Sequence, residues 1–214
     1  MWENKKNLIL ENINIDLDKR TIVEDFSFDF KPGIIYSIIG PSGCGKSTLL
    51  RCIAGLQPQT SGKKHINRKY YDKPNKDIYM VDQKYVNFPW MTALDNVLIT
   101  DVVKHKKITP DLTKKGYEIL MNLGLDNPAK FPYEMSGGMN QRLALARLVY
   151  ANPSIVLLDE PTSALDSETT KVVMNLIKWM QEQFGTTFII VTHNEELAES
   201  LCLPNNIIKL KKEN

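Results

Sequence analysis

Alternating hydrophobic and polar residues in the N-terminal part of the chain predict a β-hairpin. The two alternating segments are Asn7–Ile15 and Thr21–Phe30, and the pattern is clearest at the phenylalanines of the second segment. The polar stretch Asp16–Arg20 separates them, as a turn between paired strands does. We therefore expect an antiparallel hairpin here.

Several short apolar runs lack this alternation and are typical of strands buried on both faces, as in a parallel sheet. They lie at Gly33–Ile39, Ile78–Val81, Ser154–Glu160, which ends in two carboxylates, and Thr186–Thr192, with a last strand predicted at Ile207–Lys212. Segments with helical character lie at Ser47–Ala54, Leu112–Leu123, Gly137–Val149 and Asp166–Phe184. Because strands and helices alternate along the chain, the fold is predicted to be α/β.

The stretch of about 84–152 is predominantly helical in pattern and is interrupted at Pro89 and Pro110. No flexible linker or internal repeat sets it apart from the rest of the sequence. We therefore predict one domain, 1–214, in which a core of about 1–83 and 153–214 carries an inserted α-helical subdomain.

Composition and charge narrow the classes of protein. Lys plus Arg is 27 and Asp plus Glu is 25, so the formal balance of +2 gives no broad electrostatic footprint for nucleic acid. The cysteines at 44, 52 and 202 form no C-x-x-C pair, which argues against a disulfide framework and a zinc site. No apolar run reaches the roughly 18 residues of a membrane span, and no signal peptide is recognisable. A cytosolic location is expected.

A basic and aromatic segment, Lys63–Tyr71, allows two interpretations. Such a cluster can bind single-stranded nucleic acid by charge and stacking. The alternative is a solvated face of a hairpin, which the small net charge of +2 favours.

The strongest chemical signal is the segment Gly40-Pro41-Ser42-Gly43-Cys44-Gly45-Lys46-Ser47-Thr48, which fits the phosphate-binding spacing G-x-x-x-x-G-K-[ST]. The glycines let backbone N–H groups converge on an anion, and the following helix adds its positive N-terminal end. Lys46 supplies a full charge for the β- and γ-phosphates, and the Ser47 hydroxyl suits a Mg²⁺ ion. The alternative, a glycine-rich turn that only reverses the chain, is disfavoured by the flanking strand and helix.

Two carboxylates, Asp159 and Glu160, end an apolar strand, where burial without a cation or proton would be costly. We expect them at the carboxyl edge of the sheet, facing a site. Asp159 is then the candidate for the magnesium shell and Glu160 the candidate general base. His193, at the end of the next apolar strand, is placed to donate to a γ-phosphate.

From about Leu8 to His193 the chain resembles the ATP-binding subunit of an ABC transporter, with six motifs in that family's order. Gly40–Thr48 matches Walker A, Gln83 the glutamine loop and Met135–Met139 the signature. Ile155–Asp159, with Glu160 next, matches Walker B, Ser163–Asp166 matches the D-loop and His193 matches the switch histidine.

This resemblance implies a P-loop ATPase core with an N-terminal antiparallel β-hairpin subdomain and an inserted α-helical subdomain. It implies an ATPase with ATP and Mg²⁺ as cofactors, in which Gln83 has a catalytic and a metal-binding role. It also implies a homodimer in which Ser136, Gly137 and Gly138 of one subunit contact the γ-phosphate held by the other, with Asp166 also at the nucleotide.

The implied partners are integral membrane permease subunits and a solute-binding protein, with no nucleic acid, and the implied location is the cytoplasmic face of the cell membrane. Met139, in place of the family's usual glutamine, and Phe88–Val97 resemble the nitrate, sulfonate and taurine importer group. Leu17 lies where an aromatic residue normally stacks on adenine. The alternatives are an exporter subunit and a soluble ABC ATPase acting on nucleic acid or the ribosome.

Overall fold

The computed structural model describes residues 6–18, 20–82, 86–163 and 165–211. In chain order its strands are β1 (Leu8–Leu17), β2 (Arg20–Phe30), β3 (Ile35–Ile39), β4 (Ser61–Ile66), β5 (Lys69–Tyr70), β6 (Ile78–Val81), β7 (Ile155–Asp159), β8 (Thr187–Thr192) and β9 (Ile207–Lys209). Its α-helices are α1 (Lys46–Ala54), α2 (Ala93–Val103), α3 (Pro110–Asn122), α4 (Gly137–Ala151), α5 (Ser167–Phe184) and α6 (Glu195–Leu201). The predicted α/β fold is confirmed.

The described residues form two compact units. The larger unit draws on 6–82, 153–163 and 170–211, and the smaller unit on 86–152 and 165–169. None of the helices in the described ranges has the length and apolar character required to span a bilayer.

A five-stranded parallel sheet is the centre of the larger unit. Its strand order is β6-β7-β8-β3-β9, and every residue of β3, β7 and β8 is buried, as the continuous apolar runs predict. Register places Asp159 of β7 beside Val191 of β8, and Ile39 of β3 beside Thr192 of β8. Because these strands are parallel, the chain segments that follow them emerge at one edge of the sheet.

The N-terminal hairpin belongs to a four-stranded antiparallel sheet with the order β2-β1-β4-β5. The turn predicted at Asp16–Arg20 is longer than the observed one, because Leu17 still pairs with Arg20 across the hairpin. At this end Asp16 is hydrogen-bonded through both its side chain and its backbone N–H. The Asp16 carboxylate accepts from the Thr21 hydroxyl at 2.9 Å, and the Asp16 N–H donates to Thr60 Oγ1 at 2.8 Å.

One hydrophobic cluster joins the two sheets and α1. It includes Leu10 and Phe30 from the antiparallel sheet, Leu49 from α1, and Ile38 and Leu157 from the parallel sheet. This shared core fixes α1 relative to both sheets.

The basic segment is only in part the solvated face that the sequence predicts. Lys64 is completely buried, and its Nζ donates to the carbonyl oxygen of Cys52 in the last turn of α1. The Tyr71 hydroxyl donates to the next carbonyl, that of Ile53, at 2.8 Å. Lys64 thus adds a second hydrogen bond to the Cys52 carbonyl, which also accepts from Gly55 N at 3.0 Å, and Tyr71 provides a partner for the Ile53 carbonyl near the helix end. Burial lowers the pKa of Lys64.

Helices α2, α3 and α4 pack together in the smaller unit around a separate apolar core that includes Val97, Leu120 and Leu143. The Tyr150 hydroxyl donates to the buried Asp101 carboxylate at 2.6 Å, and Lys106 lies 3.1 Å from the same carboxylate. These contacts join α2 and the residues after it to the last turn of α4.

We expect Lys64→Ala to lower the melting temperature by several degrees, because the variant loses a hydrogen bond from a charged group, worth about 1.5 to 3 kcal/mol, and the lost side chain leaves a void. The matched control is Lys63→Ala, since Lys63 is the exposed neighbour in the same strand. Thermal unfolding of both variants measures the difference. Equal melting temperatures for the two variants would show that the Lys64 contact contributes nothing.

Candidate functional site

The glycine-rich loop between β3 and α1 has glycine where the surrounding strands leave no room for a side chain. Gly45 has φ of +92°, and a Cβ there would lie 2.8 Å from Cγ2 of Ile22 in β2. A Cβ on Gly40 would lie 2.5 Å from the carbonyl oxygen of Leu210. The loop is therefore held between the antiparallel sheet and the segment after β9.

The ammonium group of Lys46 lies inside the curve of this loop. Its Nζ donates to the carbonyl oxygens of Gly40 at 2.9 Å and Pro41 at 3.0 Å, and the residue is only 7 % exposed. Lys46 is also the first residue of α1, so its full charge adds to the partial positive charge of the helix N-terminus. This arrangement suits a polyanion.

Ser47 and Asp159 meet across the site. The Ser47 hydroxyl donates to Oδ1 of Asp159 at 2.9 Å, and Asp159 is the last residue of β7. Burial raises the pKa of Asp159, and the nearby Asp82 carboxylate adds to that rise, whereas the hydrogen bond from Ser47 opposes it. A buried carboxylate beside a hydroxyl is an oxygen donor set of the kind that Mg²⁺ prefers.

Glu160 and His193 form a hydrogen-bonded pair at the same edge of the sheet. Nδ1 of His193 is 2.9 Å from Oε1 of Glu160, and the hydroxyl of Thr192 donates to Oε2 at 3.4 Å. The glutamate side chain is 15 % exposed and the histidine side chain 66 %. The carboxylate is thus held from two sides, while the imidazole remains accessible to solvent.

Glu160 has an unusual backbone conformation. Its φ is +50°, in the left-handed region that costs non-glycine residues about 1 to 3 kcal/mol. The Glu160 N–H donates to the Val191 carbonyl at 2.9 Å, and its own carbonyl accepts from Ser163 N at 3.2 Å. These bonds hold the strained residue, and such strain is concentrated at functional sites.

The loop, Lys46, Ser47, Glu160 and His193 line one cavity of about 470 Å³. That volume lies within the range of small-molecule and cofactor sites. The remaining lining residues are Ile22, Ser42, Gly43, Gly45 and Thr48. The cavity therefore combines an anion-binding end with a positioned carboxylate.

Four other residues predicted for the site belong to the smaller unit. Gln83 is outside the described residues. Ser136, Gly137 and Gly138 belong to the smaller unit, where the Ser136 hydroxyl accepts from Met139 N at 3.3 Å and begins α4. A Cβ on either glycine would meet none of the described residues within 4 Å, so the start of this helix has room for a contact.

Asp166, also of the smaller unit, is exposed at the start of α5. Its carboxylate accepts from Thr169 N at 2.8 Å and from the Thr169 hydroxyl at 3.0 Å. The bond from the Thr169 N–H is the main reason why the pKa of Asp166 is lowered. The observed contacts of Asp166 are those of a helix cap.

Sequence reasoning missed Ile22 and Thr192. Ile22 belongs to an alternating strand, and nothing in that pattern distinguishes a residue that faces a cavity. Thr192 immediately precedes His193 at the end of an apolar strand, so its hydroxyl was recognisable as a polar group at the carboxyl edge.

Comparison with known proteins gives consistent results. Residues 23–163 match the profile of the ABC transporter family. The chain is 37 % identical over 187 residues to the aliphatic sulfonates import ATP-binding protein SsuB of Bacillus anthracis, covering 87 % of this chain and 72 % of SsuB. It is 38 % identical over 190 residues to the methionine import ATP-binding protein MetN of Clostridium tetani, covering 85 % of this chain and 59 % of MetN.

The fold is also similar to a solved structure, the dimeric post-hydrolysis state of the ATP-binding cassette MJ0796 bound to ADP and Pi. The TM-score is 0.81 at 30 % identity, and the match covers 97 % of each chain.

We expect Asp159→Asn to raise the melting temperature of the ligand-free protein at neutral pH. The amide retains an acceptor for Ser47 but removes a buried charge, and about 1 kcal/mol in a chain of this size corresponds to a few degrees. Because the pKa of Asp159 is raised in the folded state, ionisation of this carboxyl destabilises the fold. The stabilisation by Asp159→Asn should therefore grow as pH rises from the unfolded-state pKa through the raised folded-state pKa. Thermal unfolding across a pH series measures this, and a lower melting temperature at neutral pH would contradict it.

Proposed function

Because the chain belongs to the ABC transporter family, we propose that it is the ATP-binding and hydrolysing subunit of an importer for a small solute, such as an organic or inorganic anion. The observation that carries this proposal is the cavity in which the Lys46 loop faces the Glu160–His193 pair. Import is supported by similarity to the sulfonate and methionine import proteins.

ATP binding rests on the loop and Lys46. The phosphates of ATP would accept hydrogen bonds from loop N–H groups, and the ammonium would replace one carbonyl partner with a phosphate oxygen. Since the loop is already curled around the ammonium, little ordering is needed when the nucleotide binds.

The residues that would hold Mg²⁺ are Ser47 and Asp159, with Gln83 as a further ligand predicted from the sequence. The bound ion would neutralise charge on the β- and γ-phosphates. The buried carboxylate, whose pKa is raised in the absence of a cation, fits this role.

Hydrolysis requires a base for the attacking water, and Glu160 is the candidate. Its carboxylate would accept the proton of the water, and Thr192 would keep it oriented. His193 now bonds to Glu160 and would donate instead to the γ-phosphate in the loaded site.

We propose a homodimer that works with membrane permease subunits at the cytoplasmic face of the cell membrane, supplied by a solute-binding protein. The open helix start at Ser136, Gly137 and Gly138 supports contact with the γ-phosphate held by the second subunit. Asp166, which immediately precedes α5, is proposed to lie at the same interface.

A candidate surface for the permease is the Phe88-Pro89-Trp90 segment. Trp90 is 70 % exposed, and its ring lies 5.7 Å from that of Phe88. Phe88 itself is half-buried beneath Arg147, whose guanidinium carbon lies 4.8 Å from the ring centroid. Phe88 thus anchors the segment, while Trp90 is available for a partner.

We expect Glu160→Gln to bind ATP but to hydrolyse it roughly a hundredfold or more slowly, because the amide cannot accept the proton of the water. With magnesium and ATP, light scattering should then detect a persistent dimer. Glu168→Gln, which changes an exposed carboxylate of α5, is the control and should behave like the parent chain. Hydrolysis by Glu160→Gln at the parent rate would rule out the base role.

We expect Trp90→Ala to weaken association with the copurifying permease by about 2 kcal/mol or more, since aromatic anchors dominate interface energies. Basal ATPase activity and melting temperature should remain near those of the parent, because the ring is exposed. Trp179→Ala, a change of a partly exposed tryptophan in α5, is the control. If Trp90→Ala binds the permease as tightly as Trp179→Ala does, the docking surface lies elsewhere.

A further inference from the structure

The larger unit contains a second cavity, which shares no lining residue with the phosphate cavity. It has a volume of about 440 Å³ and lies between the β4–β5 hairpin and the loop that leads into β6. We call it the hairpin cavity. Its size is that of a small-molecule site rather than of a groove for an extended chain.

The hairpin cavity is strongly basic. Lys6, Lys69 and Lys76 line it against a single carboxylate, that of Asp77. Within the described ranges, none of the three ammonium groups has a carboxylate oxygen within 4.0 Å. Three unpaired positive charges around one cavity repel each other, so an anion that enters it is stabilised.

The two amide side chains that line the cavity present donors as well. Oδ1 of Asn67 accepts from Asn7 N at 2.8 Å, and Oδ1 of Asn75 accepts from Asp77 N at 3.0 Å. Each oxygen is engaged by a backbone N–H, and among the described residues neither NH₂ group has a hydrogen-bond acceptor, so both NH₂ groups can donate to a ligand. The cavity therefore fits a ligand rich in acceptor oxygens, as a phosphate group is.

Tyr70 provides a flat surface at the same cavity. The residue is 54 % exposed, and its ring is held edge-on to His65 with 6.1 Å between the ring centroids. An exposed ring in a basic site is a stacking surface for a nucleobase.

Backbone hydrogen bonds hold the walls in place. Asn67 N donates to Asn7 O at 2.9 Å, and Ile78 N donates to Asn75 O at 3.0 Å. The backbone that carries the two amides and the ring is therefore held before a ligand arrives, which lowers the entropy lost on binding.

We propose that the hairpin cavity is a second ligand site, for a nucleoside monophosphate. The three ammonium groups and the two amides bind the phosphate, the base stacks on Tyr70, and Asp77 accepts from the ribose hydroxyls. The site is independent of the ATPase cavity, so the two assignments stand or fall separately.

The test is a titration of the isotopically labelled full chain with AMP, followed by NMR. The signals of Tyr70 and of the Asn67 and Asn75 side-chain amides should shift and saturate.

Lys69→Gln/Lys76→Gln should weaken this binding by at least about tenfold, because two charge-assisted bonds to phosphate are lost. Lys63→Gln/Lys73→Gln, which removes the same charge from exposed neighbours outside the cavity, should change it less than about twofold, as screened surface charges do. ATPase activity should be unchanged in both.

A second arm tests the ring. Tyr70→Ala should weaken AMP but leave the affinity for ribose 5-phosphate unchanged, since that ligand has no base to stack. The proposal is overturned if AMP shifts only the NMR signals of the phosphate loop, or if both double variants weaken AMP binding equally. It is also overturned if Tyr70→Ala weakens the binding of AMP and ribose 5-phosphate equally, or of neither. Tighter binding of a single-stranded oligonucleotide than of AMP at the cavity would overturn it as well.

Discussion

The contact between the Lys46 ammonium and the carbonyls of Gly40 and Pro41 is the interaction on which the site depends. It closes the loop around a positive charge at the N-terminus of α1, where the helix dipole has the same sign. Among the described residues this buried ammonium has neutral carbonyl partners and no carboxylate within 4.0 Å, so the loop has a strong electrostatic preference for an anion. The rest of the larger unit holds this loop in position.

Steric contacts from two directions maintain the loop. Ile22 of the antiparallel sheet lies against Gly45, and the Leu210 carbonyl after β9 lies against Gly40. Lys64 and Tyr71 bind the other end of α1. The antiparallel sheet is therefore part of the phosphate site, and a change in its packing is transmitted to the loop through atoms in contact.

Much of this arrangement could be predicted from the sequence, because it follows from local spacing and from the geometry of parallel strands. Asp159, Glu160 and His193 come together since β7 and β8 are neighbours in register. Burial of Lys64 was not predictable, because its partner is a helix carbonyl that is remote in sequence. The extension of the hairpin to Leu17 escaped prediction for a similar reason. The Asp16 N–H near this turn donates to Thr60, which is remote in sequence, and an alternating pattern within the hairpin gives no information on such a partner.

The central claim is that this loop, with its enclosed charge, is the ATP-binding element. The most direct measurement is isothermal titration of magnesium-ATP into the parent chain, Lys46→Ala and the control Lys31→Ala, whose lysine is exposed. We predict that Lys46→Ala loses at least about tenfold in affinity, or 1.4 kcal/mol, and loses hydrolysis, whereas Lys31→Ala retains both. Parent-like ATP affinity and hydrolysis in a folded Lys46→Ala variant would contradict the claim.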